Sequence, residues 1–254
     1  MEFTVLQALL IALWVAAVQS RGLGYATLTM RFSPMMTGLV VGIVMGNIPQ
    51  AMIVTATIQL IYMGVFAPGG SMPSEPAVAT AIAVPVAILA NLEPTEAIAI
   101  AVPVGLVGGY LYQFRFFINT FIIRLSDKYA EELNDKGLFF SIMGLPILVS
   151  FALYVPVMFV ALYYGAPFIA DLTAQYAGGW FFHILSVIGG GLAAIGIALT
   201  IHVIGKREYI AFFLLAYFLT FVLKPLNVTM VTYAVLGSIL AFIFVLVTRL
   251  QNKE

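Results

Sequence analysis

Between residues 59 and 75 the chain gathers the side chains best suited to holding a small polar solute. Gln59 lies between Thr57 and Tyr62 in a short apolar segment, where an amide left without a partner costs about 1–3 kcal/mol. Something must bond it. Beyond it runs PGGSMPSEPAVAT, Pro68 to Thr80, whose glycines and prolines prevent regular helix. In that stretch Ser71, Ser74 and Glu75 supply two hydroxyls and a carboxylate between hydrophobic segments. Irregular backbone at membrane depth persists only where protein buries it or where it lines a wet cavity. A neutral sugar suits the set: its hydroxyls need acceptors such as Glu75 and amides such as Gln59, and its apolar face suits Tyr62 or Phe66. The same residue types would also compose an exposed surface loop.

Other chemistries find little footing. Cysteine is absent, which removes disulfides, thiolate nucleophiles and zinc–thiolate clusters together. His183 and His202, the two histidines, stand about 28 Å apart if they share one helix, so they cannot hold one metal. No P-loop, His-Glu-x-x-His or Gly-x-Ser-x-Gly pattern occurs, and neither a metal nor another cofactor is expected. Eleven Lys+Arg balance eleven Asp+Glu; without a positive field, a nucleic-acid partner is not expected. Arg115 interrupts an apolar run near Tyr112, Gln113 and Asn119. It reads either as an interfacial arginine that snorkels outward or as an intramembrane polar site.

The elements that must position these residues follow from hydropathy. Of 254 residues 63% are hydrophobic and 9% charged, against about a quarter charged in soluble domains. A spanning helix needs about 20 mostly apolar residues. By that ruler Phe3 to Val18, Thr95 to Ile123, Leu138 to Tyr164, Gly179 to Ile204 and Met230 to Val247 are candidate spans. The first carries Glu2 and no preceding Lys or Arg, and so is expected to be a retained helix rather than a signal peptide. Pro34 to Ile48, Met52 to Phe66 and Tyr209 to Leu223 are each about 22 Å long as helices, too short to cross comfortably. The first two are adjacent and interrupted at Pro49, and paired, interrupted hydrophobic segments point to a transporter's binding site. The expected fold is an all-α polytopic membrane protein, one domain over residues 1–254, with about 7 to 9 helices including short re-entrant or broken segments.

Smaller patterns refine this. Ala-Ile-Ala-Val-Pro-Val occurs at 81–86 and again at 99–104, which predicts two similarly kinked helices side by side, at Pro85 and Pro103. Plain Ala/Val/Ile composition accounts for the repeat equally well. Gly38, Gly42 and Gly46 put small residues on one helical face, and Gly105 and Gly109 repeat the device. Such faces let another backbone approach, within the chain or from another. Arg124, Lys128 and Lys136, then Lys206 and Arg207, then Arg249 and Lys253 fall two spans apart, so they share one side of the membrane. The positive-inside rule makes that side cytoplasmic. RLSDKYAEELNDK, from Arg124 to Lys136, reads as a cytoplasmic helix extension with Lys128 and Glu132 as an i,i+4 pair, either a solvated connector or a docking face.

At these residues the sequence resembles the membrane component IIC of the mannose/fructose/sorbose/N-acetylgalactosamine family of the sugar phosphotransferase system. The likeness runs nearly end to end. It is carried by Leu6-Gln7, GLVVGIVMGN at Gly38 to Asn47, TATIQLIYMG at Thr55 to Gly64, PGGSMPSEPAVAT, GGGLAAIGIAL at Gly189 to Leu199 and YIAFFLLAYFL at Tyr209 to Leu219. Asn47 stands where the family usually has Asp, Thr55-Ala56 replaces a glycine pair, and Gln59 stands where Glu is usual. Amides keep the acceptors while removing charge, so sugar recognition is expected to differ from that of the mannose porter. The resemblance implies a multi-pass permease of the bacterial cytoplasmic membrane, with an elevator-type motion and an assembly of IIC with IID as trimers. It also implies that the sugar is presented to the phosphorylated carrier IIB, itself charged by IIA, so that this chain translocates without catalysing. Gln59, Glu75, Ser74, Ser71, Asn47 and Tyr62 are then the expected sugar-binding residues. An ion-coupled secondary sugar transporter and a non-transporting assembly subunit remain the other readings of the same residues.

Overall fold

A computed structural model describes residues 3–20, 22–63, 74–175, 209–226, 228 and 230–251, with isolated positions between 180 and 202. Ser71, Phe66 and the first part of the Pro68 to Thr80 stretch, residues 68–73, lie outside the described residues, as does most of the span expected at Gly179 to Ile204. Every regular element among the described residues is helical.

The chain forms two compact units, Met1–Thr200 and Ile201–Glu254. In the first, α1 (Val5–Gln19) starts with a capping box: the Thr4 hydroxyl accepts from Gln7 N–H, and the Gln7 side chain accepts from Thr4 N–H. After α2 (Ala26–Phe32) the chain turns through 82° at Ser33 into α3 (Pro34–Met45). Pro34 causes the break. It forbids helical geometry to the residue before it and has no N–H to continue the ladder, and Ser33 is extended (φ −104°, ψ 105°).

The next interruption comes two to three residues before the expected Pro49. Gly46 closes α3 in the left-handed region at φ 71°, and Asn47 caps α4 (Ile48–Tyr62). Pro49 occupies the first turn of α4, where a missing N–H costs nothing, so it starts a helix rather than breaking one. The result is a hairpin whose α4 is about 22 Å long. A methyl added at Gly38 would lie 2.0 Å from Thr55 Oγ1, and one at Gly42 would lie 2.9 Å from Ala51 Cβ. The glycine face therefore packs α3 on α4 within the chain.

α5 (Pro76–Ala90) is the core of this unit, with thirteen of its fifteen residues buried. A helix apolar all round must be enclosed, and α1, α2, α3, α4, the helix that follows it at Pro94–Glu131 and a later one at Ala166–Gln175 all pack on it. α6 (Pro94–Glu131) lies alongside, so the two Ala-Ile-Ala-Val-Pro-Val copies are neighbours as expected. Their surroundings differ: Pro85 is buried and Pro103 exposed.

Among the described residues, Pro94–Glu131 and Asp135–Ile169 are long and apolar enough to cross a membrane, and the bent pair α2 and α3 would make a third if it counts as one span. The second stretch comprises α7 (Asp135–Phe139), a π turn at Phe140–Gly144, α8 (Leu145–Val160), a second π turn at Ala161–Gly165 and the start of α9 (Ala166–Gln175). Lys128 and Glu132 pair at 3.8 Å on the exposed end of α6, as their spacing predicts. In the second unit, α10 (Ile210–Val222) and α11 (Met230–Gln251) meet through Tyr209, Phe212 and Phe244, with Phe212 and Phe244 ring centroids 5.2 Å apart.

Candidate functional site

The break at Ser33 organises the polar interior. From one side Gln59, half-buried on α4, turns its Oε1 to it, accepting from Met35 N–H at 3.3 Å and from Ser33 Oγ at 3.4 Å. Met35 N–H belongs to the first turn of α3, whose amides have no partner within the helix. The Gln59 amide nitrogen has no hydrogen-bond partner among the described residues. It is a donor left over at a helix break.

From the other side comes Glu75. Its backbone N–H donates to Gly105 O at 2.8 Å, and its fully buried carboxylate receives Arg31 from α2. Arg31 Nε donates to both carboxylate oxygens, at 3.0 and 3.3 Å, and Nη2 donates to Oε1. Gln19 Nε2, at the end of α1, donates to Oε2 at 2.6 Å. The Arg31 guanidinium also covers the face of Tyr112 at 3.7 Å, a cation–π contact. Gln59 and Glu75 do not touch: they reach the same break, residues 31–35, from two helices.

Tyr62 and Ser74 form a neighbouring pair. Their hydroxyl oxygens are 3.1 Å apart, and Tyr62 also donates to Ala101 O at 3.5 Å. Gly105 makes room for them, since a methyl there would stand 2.2 Å from Tyr62 Oη and 2.4 Å from Ser74 Oγ. Asn47 is elsewhere. It caps the hairpin tip, where its Oδ1 accepts from Gln50 N–H at 3.3 Å and its Nδ2 donates to Gln50 Oε1 at 2.8 Å. Along α4 it stands about 18 Å from Gln59. Ser71 lies outside the described residues.

Arg115 does not snorkel. It is only 4% exposed, and Nη1 donates to Gln19 O and, at 3.4 Å, to Ser150 Oγ of α8. Its guanidinium carbon lies 5.0 Å from the Tyr112 ring centre. The outward-reaching expectation fails because the end of α1 and the side of α8 bring acceptors to it. Tyr154 of α8 is fully buried, and its hydroxyl has no partner among the described residues.

The sequence of residues 5–243 matches the family described as "PTS system sorbose-specific IIC component". The chain belongs to that family. It is 24% identical over 207 residues to the N-acetylgalactosamine permease IIC component 1 of Escherichia coli, covering 82% of this chain and 76% of that protein. It is 26% identical over 230 residues to the fructose permease IIC component of Bacillus subtilis, covering 87% and 80% respectively. Its fold is that of a solved "membrane protein", with a TM-score of 0.73 at 22% identity over 96% of both chains. A chain of the mannose transporter ManYZ, solved in complex with microcin E492, matches with a TM-score of 0.57, again at 22% identity over 96% of both chains. This IIC component is thus an all-α membrane subunit of a sugar phosphotransferase system permease.

Two residues that hold the IIC core together are absent from the sequence-based set. Gln19 and Arg31 each end an apolar run, a position that reads as a membrane boundary. The signal available was Pro34 three residues after Arg31: a proline-broken membrane helix sets free backbone groups that only protein can satisfy.

Proposed function

We propose that this IIC component binds its sugar at the helix break around Ser33, with Gln59 as the main discriminating contact. One observation carries the reading. Gln59 caps the half-buried start of α3 through Oε1 while its Nε2 has no partner among the described residues, which leaves a donor for a sugar hydroxyl beside a helix N-terminus. Tyr62, one turn along α4 from Gln59, pairs with Ser74, the residue before Glu75. Ser71, three residues before Ser74 in the sequence, completes the proposed set. Glu75 acts through Arg31 and Gln19, fixing the break rather than standing open to solvent. Asn47 sets the hairpin tip.

The sugar then passes to the cytoplasmic face of a bacterial inner membrane, where IIB phosphorylates it with phosphate supplied by IIA. A IID subunit is the membrane partner, in a trimeric assembly of both. This chain is non-catalytic: phosphocarriers use His or Cys as nucleophile, this chain has no cysteine, and His183 and His202 have no carboxylate at ligand spacing. Phosphorylation traps the product, so the pump needs no ion gradient.

The test is sugar uptake by cells expressing the full permease. Gln59→Ala should raise the KM for uptake at least tenfold with membrane abundance unchanged, a loss of about 1.4 kcal/mol in binding. Gln59→Glu, restoring the family's usual residue, should change which sugars are preferred. Unaltered KM and preference in both variants would reject the site.

A further inference from the structure

The turn between α6 and α7 carries a leucine where a glycine is expected. Glu132 closes α6, and the next residue, Leu133, sits in the left-handed region at φ 52°. Its N–H donates to Ala130 O at 3.2 Å, and Asn134 N–H donates to Tyr129 O at 2.9 Å. That pair of bonds is the helix stop in which glycine usually takes the left-handed place, because a side chain there crowds the backbone. Here the side chain is 88% exposed, and no aliphatic side chain among the described residues is more so. We propose that this turn is a docking knob for the soluble phosphocarrier IIB, with Leu133 entering an apolar pocket on the carrier. The choice of partner rests on the function proposed above; the surface rests on the turn itself.

The turn is rigid. Asn134 Oδ1 accepts from Gly137 N–H at 3.0 Å and so starts α7, while Asn134 O accepts from Leu138 N–H at 2.9 Å. Gly137 lies against Tyr129, since a methyl added to it would stand 2.7 Å from the ring. The chain is thus clamped on both sides of Leu133, which holds the leucine outward before any partner arrives. A knob fixed in advance loses little freedom on binding.

Charge favours a basic partner. Glu131, Glu132 and Asp135 flank Leu133 and are exposed, with Lys136 beyond them, and Glu132 draws Lys128 to 3.8 Å. Four of the eleven acidic residues fall between Asp127 and Asp135, on the side assigned to the cytoplasm. An apolar centre within a charged rim is the anatomy of a protein interface, and complementary charge steers the right partner to it. A carrier holds its phosphoryl group among cationic and N–H donors, so its active face is drawn toward acid.

A lipid surface fits less well. Glu132 stands about 12 Å along the helix beyond Arg124, where the apolar run ends, and a tilt of about 40° still leaves about 9 Å. The headgroup layer is roughly 5–8 Å deep on each side. Leu133 therefore clears it, and the acidic rim is repelled by an anionic leaflet.

The test uses the full chain purified with its membrane partner in nanodiscs and titrated with purified IIB. Leu133→Gly relieves the left-handed strain, so it should keep or raise the melting temperature while weakening IIB binding at least tenfold. In sugar phosphorylation it should raise the KM for phosphorylated IIB and leave kcat unchanged. Leu133→Met should bind like the wild type. Glu131→Lys should weaken binding, and added salt should weaken the wild type more than this variant. The indole of Leu133→Trp should shift to the blue when IIB is added; quenching by brominated lipid without IIB would give the knob to the membrane and overturn the proposal. A lower melting temperature for Leu133→Gly would mean that the leucine packs on its own chain, and IIB binding unchanged in both Leu133→Gly and Glu131→Lys would remove the surface; either result overturns it. If uptake still requires the phosphocarriers in that event, the permease reading stands without this surface, whereas uptake independent of them would strike both.

Discussion

Arg31 and Glu75 form a buried pair with side chains 4% and 0% exposed, and their value depends on both being present. Removing one partner of such a pair typically costs about 3–5 kcal/mol because the other charge stays buried, while replacing both with apolar groups is often neutral. Glu75→Ala should therefore destabilise the purified protein by about that amount, and Arg31→Met combined with Glu75→Leu should recover most of the loss; equal melting temperatures for Glu75→Ala and the double variant would remove the pair from this account. Glu75→Gln, which can still accept from Arg31, should fall between. The residue scale is also where the sequence was most and least informative. Gln59 and Glu75 stood out because polar groups inside apolar runs must be satisfied. Their partners did not, because Arg31 is 44 residues from Glu75 and Gln19 is 56. Arg115 is 96 residues from the carbonyl it binds. Periodicity carries no information over such distances.

Two helices that are each too short to cross alone join at Gly46 and Asn47, and contact between α3 and α4 holds them together. The glycine spacing announced that contact, and hydropathy announced that the helices were short. What the sequence left open was the partner surface, within or between chains, and the residue at the turn. Pro49 invites a break by its chemistry but is harmless in a first helical turn, whereas Gly46 reaches φ 71° without strain. The Gly38 contact can be tested directly. A methyl there would lie 2.6 Å from Thr55 Cβ as well as 2.0 Å from its oxygen, so rotation of the hydroxyl group alone cannot relieve it. Gly38→Ala should cost about 1–3 kcal/mol, the usual range for overpacking. Thr55→Gly should restore much of it, despite its own loss of the Thr55 hydroxyl's bond to Ala51 O at 2.6 Å. A Gly38→Ala protein that melts with the wild type would mean the helices sit further apart. α5 shows the limit of pattern reading from the other direction: its uniform apolarity says that it is enclosed, but not that six helices do the enclosing.

At the scale of the whole molecule the question is what drives transport, and the distribution of charge bears on it. An ion-coupled carrier places carboxylates or histidines in the membrane where they can exchange a proton or a sodium ion. In this chain Glu75 is the buried carboxylate among the described residues, and it is committed to Arg31 and Gln19 instead of facing a path. His183 and His202 are exposed on the described helical positions. No group of three or more His, Asp or Glu that could hold a metal ion occurs among the described residues. If the sugar binds where proposed above, among amide and hydroxyl groups, phosphorylation itself is the rectifying step, because the anion formed finds no matching charge there. Uptake by cells carrying the intact permease should therefore persist within about twofold when a protonophore collapses the proton gradient, and should fall to background when the phosphocarrier proteins are deleted. Radiolabelled sugar accumulation, with chromatography of the intracellular product, reads both arms. Product recovered as free sugar, together with loss of uptake under the protonophore, would transfer the work from phosphoryl chemistry to an ion gradient and require a proton path through Glu75 after all.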